Sequence, residues 1–142
     1  VDGELLSHCH NAGSITNWKD RNQVTQGAVI GMPDLDTSSS VVQNKLKNYL
    51  DILSDSGADG FRFDAAKSIE LPSQYEQSGN KSSDFWTNII NEIKSKNPKS
   101  FVYGEVLQGD EPGTNFPGYA KIISRTKEPE KRLAKRFALP VM

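Results

Sequence analysis

The chain has 142 residues, 35% hydrophobic and 25% charged, with a formal net charge of −1. That length suits one domain or part of a larger one, and the near-neutral balance argues against a general polyanion binder, so no nucleic-acid partner is expected. No run of about 18 apolar residues is present, so no membrane-spanning helix is expected, and Cys9, the only cysteine, has no partner for an internal disulfide.

Residues 1–36 are rich in Asn, Gly and Asp and show little apolar periodicity. They read as a long irregular segment, of the kind that is functional or disordered in compact domains. Trp18, the pair Val29-Ile30 and Met32-Pro33 are the expected anchors of an ordered loop domain. His8-Cys9-His10 has the residue types of a metal cluster, but neighbouring loop positions do not converge easily on one ion, and no second cluster completes a tetrahedron. These three are expected to be solvent-exposed. No signal-like apolar stretch follows Val1, so either a leader has been removed or the chain starts within a longer gene.

A helix is expected next. Ser40 and Gln43 have capping-box spacing, Val42, Leu46, Tyr49, Leu50 and Leu53 recur at helical intervals, and Gly57 stands where a C-terminal cap glycine belongs. Gly60-Phe61-Arg62-Phe63-Asp64-Ala65 is a short strand-like run. A polar connector over 69–82 leads to a second helix from about Ser83, with Trp86, Ile89, Ile90 and Ile93 as its apolar stripe and Asn97-Pro98 as its stop. Phe101 to Leu107 forms the next strand. Helix, strand, helix, strand with buried strands predicts an α/β fold with a parallel sheet, most of whose strands lie outside this sequence.

Alternate residues of a strand share a face. Arg62 and Asp64 therefore point one way, and Phe61 and Phe63 point to the face that helices cover. A guanidinium beside Asp64 favours its ionised form, which suits a nucleophile; a structural ion pair is the plainer reading. Glu105 lies near the end of the following strand, in the shell where barrel enzymes place their chemistry. Adjacent strands are about 4.8 Å apart, which permits the carboxyl separation of about 5–5.5 Å found in retaining glycosidases.

Gly60-Phe61-Arg62-Phe63-Asp64-Ala65-Ala66-Lys67 resembles the fourth-strand signature of the α-amylase family, and Tyr103-Gly104-Glu105-Val106-Leu107 resembles its fifth. Met32-Pro33-Asp34-Leu35-Asp36 is similar to the motif closing that family's loop domain. Asn17-Trp18-Lys19-Asp20-Arg21 and Ile69-Glu70-Leu71-Pro72 further resemble secreted bacterial α-amylases of the Bacillus subtilis type, and the likeness runs from about His10 to Ser124. The resemblance implies part of a (β/α)8 barrel. Residues 1–36 would be the end of the loop domain inserted after the third strand, 37–124 a barrel segment with strands four and five, and 125–142 an atypical tail. It implies that Asp64 is the nucleophile, Glu105 the general acid and base, Arg62 the group holding Asp64, and Lys67 a contact to glucose on the leaving-group side. It further implies an α-1,4-glucan substrate, secretion, and a structural Ca2+ held by the Asp34 carboxylate and the carbonyls of Thr25 and Ser68, an all-oxygen set suited to a hard cation.

Three departures qualify the resemblance. Ser68 replaces a histidine that touches sugar in these enzymes, which puts the product pattern in doubt. The third-strand motif, and the seventh-strand motif with a third catalytic acid, would lie before residue 1 and after residue 142. Preorganised charge supplies much of catalysis, so the 142 residues alone are expected to be nearly inactive. Residues 125–142 carry six Lys/Arg against two acids, +4, which leaves −5 for 1–124; they read as a solvated basic tail, with an amphipathic helix as the alternative. Competing functions are a related α-glucan transglycosylase and a non-catalytic carbohydrate-binding remnant, against which the intact Arg62, Asp64, Lys67 and Glu105 argue.

Overall fold

The computed structural model describes residues 3–107 and 112–124. In chain order these form α1 (Gly3–Leu6), α2 (Arg21–Gln26), α3 (Ser40–Asp55), β1 (Gly60–Phe63), α4 (Phe85–Lys96), β2 (Phe101–Gly104) and α5 (Phe116–Ser124). Three short 3₁₀ turns intervene at Ala66–Ser68, Ser73–Tyr75 and Pro112–Thr114. The basic stretch 125–142 lies outside the described residues.

Local chemistry sets the ends of the helices. The Asp20 side chain accepts from the backbone N–H groups of Asn22 and Gln23 at 3.0 and 3.3 Å and starts α2. For α3 the expected Ser40–Gln43 capping box does not form. The N-cap is Ser39, which makes no side-chain cap bond, and the Gln43 amide donates to the Thr37 carbonyl at 2.8 Å. The reason is that Ser40 is already the first helical residue, while the Ser39 hydroxyl meets His8 Nδ1 at 3.1 Å; Asp36 Oδ1 takes both the N–H and the hydroxyl of Ser38, at 2.9 and 2.5 Å, and shapes the turn before the helix. The other end of α3 agrees with expectation. Gly57 has φ +97°, and the bonds Gly57 N–H to Ser54 O and Ala58 N–H to Leu53 O close a Schellman motif. Helix α4 starts two residues later than expected because the Ser83 hydroxyl accepts from the Phe85 N–H outside the helix, at 3.1 Å.

Strands β1 and β2 pair in parallel, with Gly60 opposite Phe101 and Phe63 opposite Gly104. The connection between them carries α4, so the segment is an α/β unit of the expected class. Behind the strands one apolar cluster unites Phe61 and Val102 with Trp86, Ile89, Ile90 and Ile93 of α4, Leu50 of α3, and Tyr119 and Ile122 of α5. Phe63 meets Trp86 edge-on at 5.1 Å. Each fully buried large apolar side chain contributes roughly 1.5–3 kcal/mol, and the cluster fixes the strands from their covered face.

Four expectations need correction. Tyr49 is 57% exposed and lies off the buried stripe of α3, which is set by Val42 and Leu50. The expected anchors of the N-terminal segment are not its anchors: Ile30 is 94% exposed, and Met32 and Trp18 are also exposed. Arg21, Val24 and Thr25, all on α2, are buried in their place. The connector over 69–82 is polar only in part, because Glu70, Leu71 and Pro72 are buried at its start. His8, Cys9 and His10 are half-buried and not solvent-exposed, because the segment is held down by antiparallel bridging of Cys9 with Leu35.

Candidate active site

Asp64 and Glu105 are the first residues beyond β1 and β2, and the ladder continues through them. The Glu105 N–H donates to the Phe63 carbonyl, and the Ala66 N–H to the Glu105 carbonyl, both at 2.8 Å. Between Asp64 and the turn at Ala66–Ser68, Ala65 has φ +45°. This left-handed conformation costs an L-residue about 1–2 kcal/mol; it swings the chain out of the strand and points the Ala65 N–H at Glu105 Oε2, 3.5 Å away. Gly104 allows the turn to pass close by. A Cβ at that position would lie 2.6 Å from the Ala66 Cβ.

Arg62 brings the two carboxylates together. Its Nη1 is 2.8 Å from Asp64 Oδ1, and its Nη2 is 3.0 Å from Glu105 Oε1. The bond that Arg62 donates to Asp64 does most to raise the Arg62 pKa above its ordinary value, with Glu105 adding to it. Strand alternation placed Arg62 beside Asp64; the reach to the neighbouring strand was not legible in it. The Asp64 side chain is 76% exposed and that of Glu105 31%, so both acids open to the same front of the sheet.

Lys67 was expected either to contact a sugar or to be solvated. It is 9% exposed. Its ammonium lies 5.0 Å over the Trp18 ring and 3.3 Å from the Leu107 carbonyl, so it bridges the N-terminal segment and the segment beyond β2.

Behind this loop stands Arg21, which in the sequence is only the last residue of the Asn17–Arg21 motif and carries no role of its own. Arg21, the first residue of α2, is 5% exposed. Its Nη1 donates to the carbonyls of Lys67 (2.6 Å) and Gly113 (3.3 Å). Its Nη2 donates to the Ile69 carbonyl (3.2 Å), Glu76 Oε1 (2.8 Å) and the Tyr119 hydroxyl (2.8 Å), and its Nε faces both Glu76 oxygens. Burial opposes the Arg21 charge, but Tyr119 and Glu76 outweigh it and its pKa is raised. Burial likewise pushes the Tyr119 phenol above its ordinary value, and the neutral hydroxyl donates to the Ile69 carbonyl. A buried arginine has no signature in sequence, since Arg is among the residues least often buried.

The expected cation ligands divide. The Asp34 carboxylate is half-buried, and that partial burial raises its pKa against the opposing effect of His10; the His10 Nδ1 and Asp34 Oδ2 atoms are 2.7 Å apart. His10 Nε2 lies 3.4 Å from Asp36 and 3.7 Å from the buried Glu70. Glu70 in turn accepts from the Thr37 hydroxyl at 2.5 Å and from Gln26. The Thr25 carbonyl accepts from the Gln26 amide at 3.3 Å. Asp34 thus keeps one carboxylate oxygen outside the His10 bond, and Thr25 and Ser68 offer carbonyls on α2 and on the turn that Arg21 ties to it. The donors suit a hard cation in type. Among the described residues no group of three or more His, Cys, Asp or Glu side chains suited to a metal is present, so such an ion would depend on the carbonyls.

Comparison with known proteins gives matches in one family. A family model described as "Alpha amylase, catalytic domain" matches residues 10–121. The chain is 44% identical over 99 residues to an alpha-amylase of Clostridium acetobutylicum, covering 70% of this chain and 13% of that protein. It is 50% identical over 58 residues to an alpha-amylase of Aeromonas hydrophila, covering 41% of this chain and 13% of that one. The crystal structure of an alpha-amylase from Geobacillus thermoleovorans complexed with acarbose superimposes with a TM-score of 0.61 at 26% identity, over 77% of this chain and 22% of that chain. The chain therefore spans about an eighth of the length of these curated relatives.

Proposed function

The chain belongs to the alpha-amylase catalytic-domain family, and from that premise we propose that it carries the nucleophile and the general acid of a retaining hydrolase of internal α-1,4-glucosidic bonds. The observation that carries the reading is the single Arg62 guanidinium joined to Asp64 and Glu105 at the ends of adjacent parallel strands. The two strands are read as the fourth and fifth of the barrel. Asp64, bonded through Oδ1 to Arg62, attacks the anomeric carbon and forms a glycosyl–enzyme ester. Arg62 occupies Oε1 of Glu105, so Oε2 is the oxygen that delivers the proton to the departing glycosidic oxygen and later takes one from the attacking water. Lys67, held between Trp18 and Leu107, is the expected contact on the leaving-group side.

A calcium ion held by Asp34 with the carbonyls of Thr25 and Ser68 belongs to the same reading, as a structural tie between loop domain and barrel. So does secretion, which the resemblance to secreted bacterial α-amylases implies. Activity on starch belongs to the whole protein, since the chain covers 13% of the relatives it matches.

The test is starch hydrolysis by the protein expressed from its complete reading frame, beside its Asp64→Asn and Glu105→Gln variants. Both variants are expected to lose at least the roughly 10²–10⁴-fold that acid–base catalysis contributes, with Asp64→Asn losing more. Near-parental turnover by either variant refutes the assignment of that residue.

A further inference from the structure

We infer that Arg21 is a positioning residue for glucan binding, acting through Lys67 by pinning the loops that follow both strands to the loop domain. The inference rests on the function proposed above.

The argument begins with the directions of the guanidinium donors. An arginine has five N–H groups in a fixed fork, and each nitrogen of Arg21 is engaged. The acceptors at Lys67 and Ile69 flank Ser68 in the loop after β1, and the acceptor at Gly113 belongs to the 3₁₀ turn after β2. Arg21 is thus a three-way junction between α2 and the two loops that rim the carboxylates. The shortest of its bonds, 2.6 Å, is to the carbonyl of Lys67 itself. That bond fixes the backbone from which the Lys67 ammonium reaches Trp18 and the Leu107 carbonyl.

The second half of the junction holds Arg21 in turn. Glu76, 2% exposed in its side chain, also accepts from the Leu71 N–H at 3.0 Å and the Asn115 amide at 3.1 Å. The bidentate geometry is specific to Arg and carboxylate, and lysine at position 21 could not reproduce it: a single ammonium presents three donors at one point. A lysine there retains charge and one or two bonds and lets the Lys67 loop shift.

The experiment is a double-mutant cycle in the protein expressed from its complete reading frame, with maltoheptaose and an aryl maltoside as substrates. Arg21→Lys is expected to raise KM for maltoheptaose by roughly 10-fold, the size of one charge-assisted hydrogen bond, with kcat within about twofold. It is expected to leave kcat/KM for the aryl maltoside, which has no sugar on the leaving-group side, within about twofold. In a Lys67→Ala background Arg21→Lys should add less than about twofold, because its route is already cut. Glu76→Gln, which leaves Arg21 in place without its counter-charge, reads the same coupling should Arg21→Lys fail to fold.

A purely structural junction gives a lowered Tm with unchanged KM, or effects that multiply fully in the Lys67→Ala background; either result overturns the inference. A parent protein with no activity on either substrate overturns the underlying function instead, so the two failures are distinguishable.

Discussion

Replacing Gly104 by alanine tests how tightly the two carboxylates are set. The new Cβ would stand 2.6 Å from the Ala66 Cβ, whereas carbon atoms rest at about 3.5–4.0 Å. Roughly 0.9 Å must therefore be found between β2 and the turn beyond β1. That turn is bonded to the Glu105 carbonyl, and Gly104 immediately precedes Glu105, so the displacement falls on Glu105, the proposed general acid, relative to Asp64. A 1 Å misplacement of a reacting group can cost about 10²-fold in rate, while overpacking of this kind costs about 1–3 kcal/mol of stability. The expected result is a drop in kcat for starch of about two orders of magnitude, with a lowered but cooperative melting transition. The double variant Gly104→Ala with Ala66→Gly removes the opposing methyl and should recover most of the activity. A Gly104→Ala enzyme with parental kcat refutes the reasoning, and so does a loss that Ala66→Gly does not restore.

Two further perturbations probe the frame around the site. Burial holds the folded-state pKa of Tyr119 above that of the unfolded chain, so the folded protein keeps a proton that the unfolded one sheds; this stabilisation is complete below about pH 10 and is lost as pH rises beyond it. The loss approaches about 1.4 kcal/mol per pH unit, and in alkaline denaturation Tyr119→Phe should start less stable at pH 8 by about 1–3 kcal/mol yet fall less steeply above pH 10. A parallel alkaline limb for both proteins contradicts it. For the proposed cation, EDTA should lower Tm and calcium should restore it, by an amount equivalent to about 2.7 kcal/mol at one hundred times Kd. Asp34→Ala should start low and respond to neither reagent, and a parent Tm indifferent to EDTA removes the calcium from the reading.

The sequence exposed what repeats or alternates. Period two put Arg62 and Asp64 on one face and Phe61 on the other, and period 3.6 placed Trp86, Ile89, Ile90 and Ile93 in the core, where all four are buried. Gly57 was legible because a left-handed cap position admits few other residues. What stayed hidden depends on partners distant in sequence. Ile30 and Met32 read as anchors because they are apolar, yet both are exposed, whereas Arg21 and Glu70 are charged and buried. Arg21 finds acceptors 46 to 98 residues away, and no local pattern announces such a meeting. His10 reads as an exposed loop residue for the same reason, since Asp34, 24 residues on, is what holds it.

These two kinds of information correspond to two kinds of contact. The covered side is apolar, continuous and dictated by periodicity, and it sets the spacing of β1 and β2 and hence of the residues that follow them. The polar contacts are built from single junctions: Arg62 between the carboxylates, Lys67 between Trp18 and Leu107, Arg21 between α2 and two loops, and Glu70 between Thr37 and Gln26. Apolar packing is non-directional and tolerates swaps of similar volume. A bidentate or three-way hydrogen-bonded junction is directional and does not. The strand spacing that brings Asp64 beside Glu105 is therefore robust to substitution. The positions of Lys67, Ser68 and the turn at Pro112–Thr114 depend on the Arg21–Glu76 pair. In a protein of this family that is where differences in glucan length and product pattern can arise with the two carboxylates left untouched, and Ser68 lies between two of the three carbonyls that Arg21 holds.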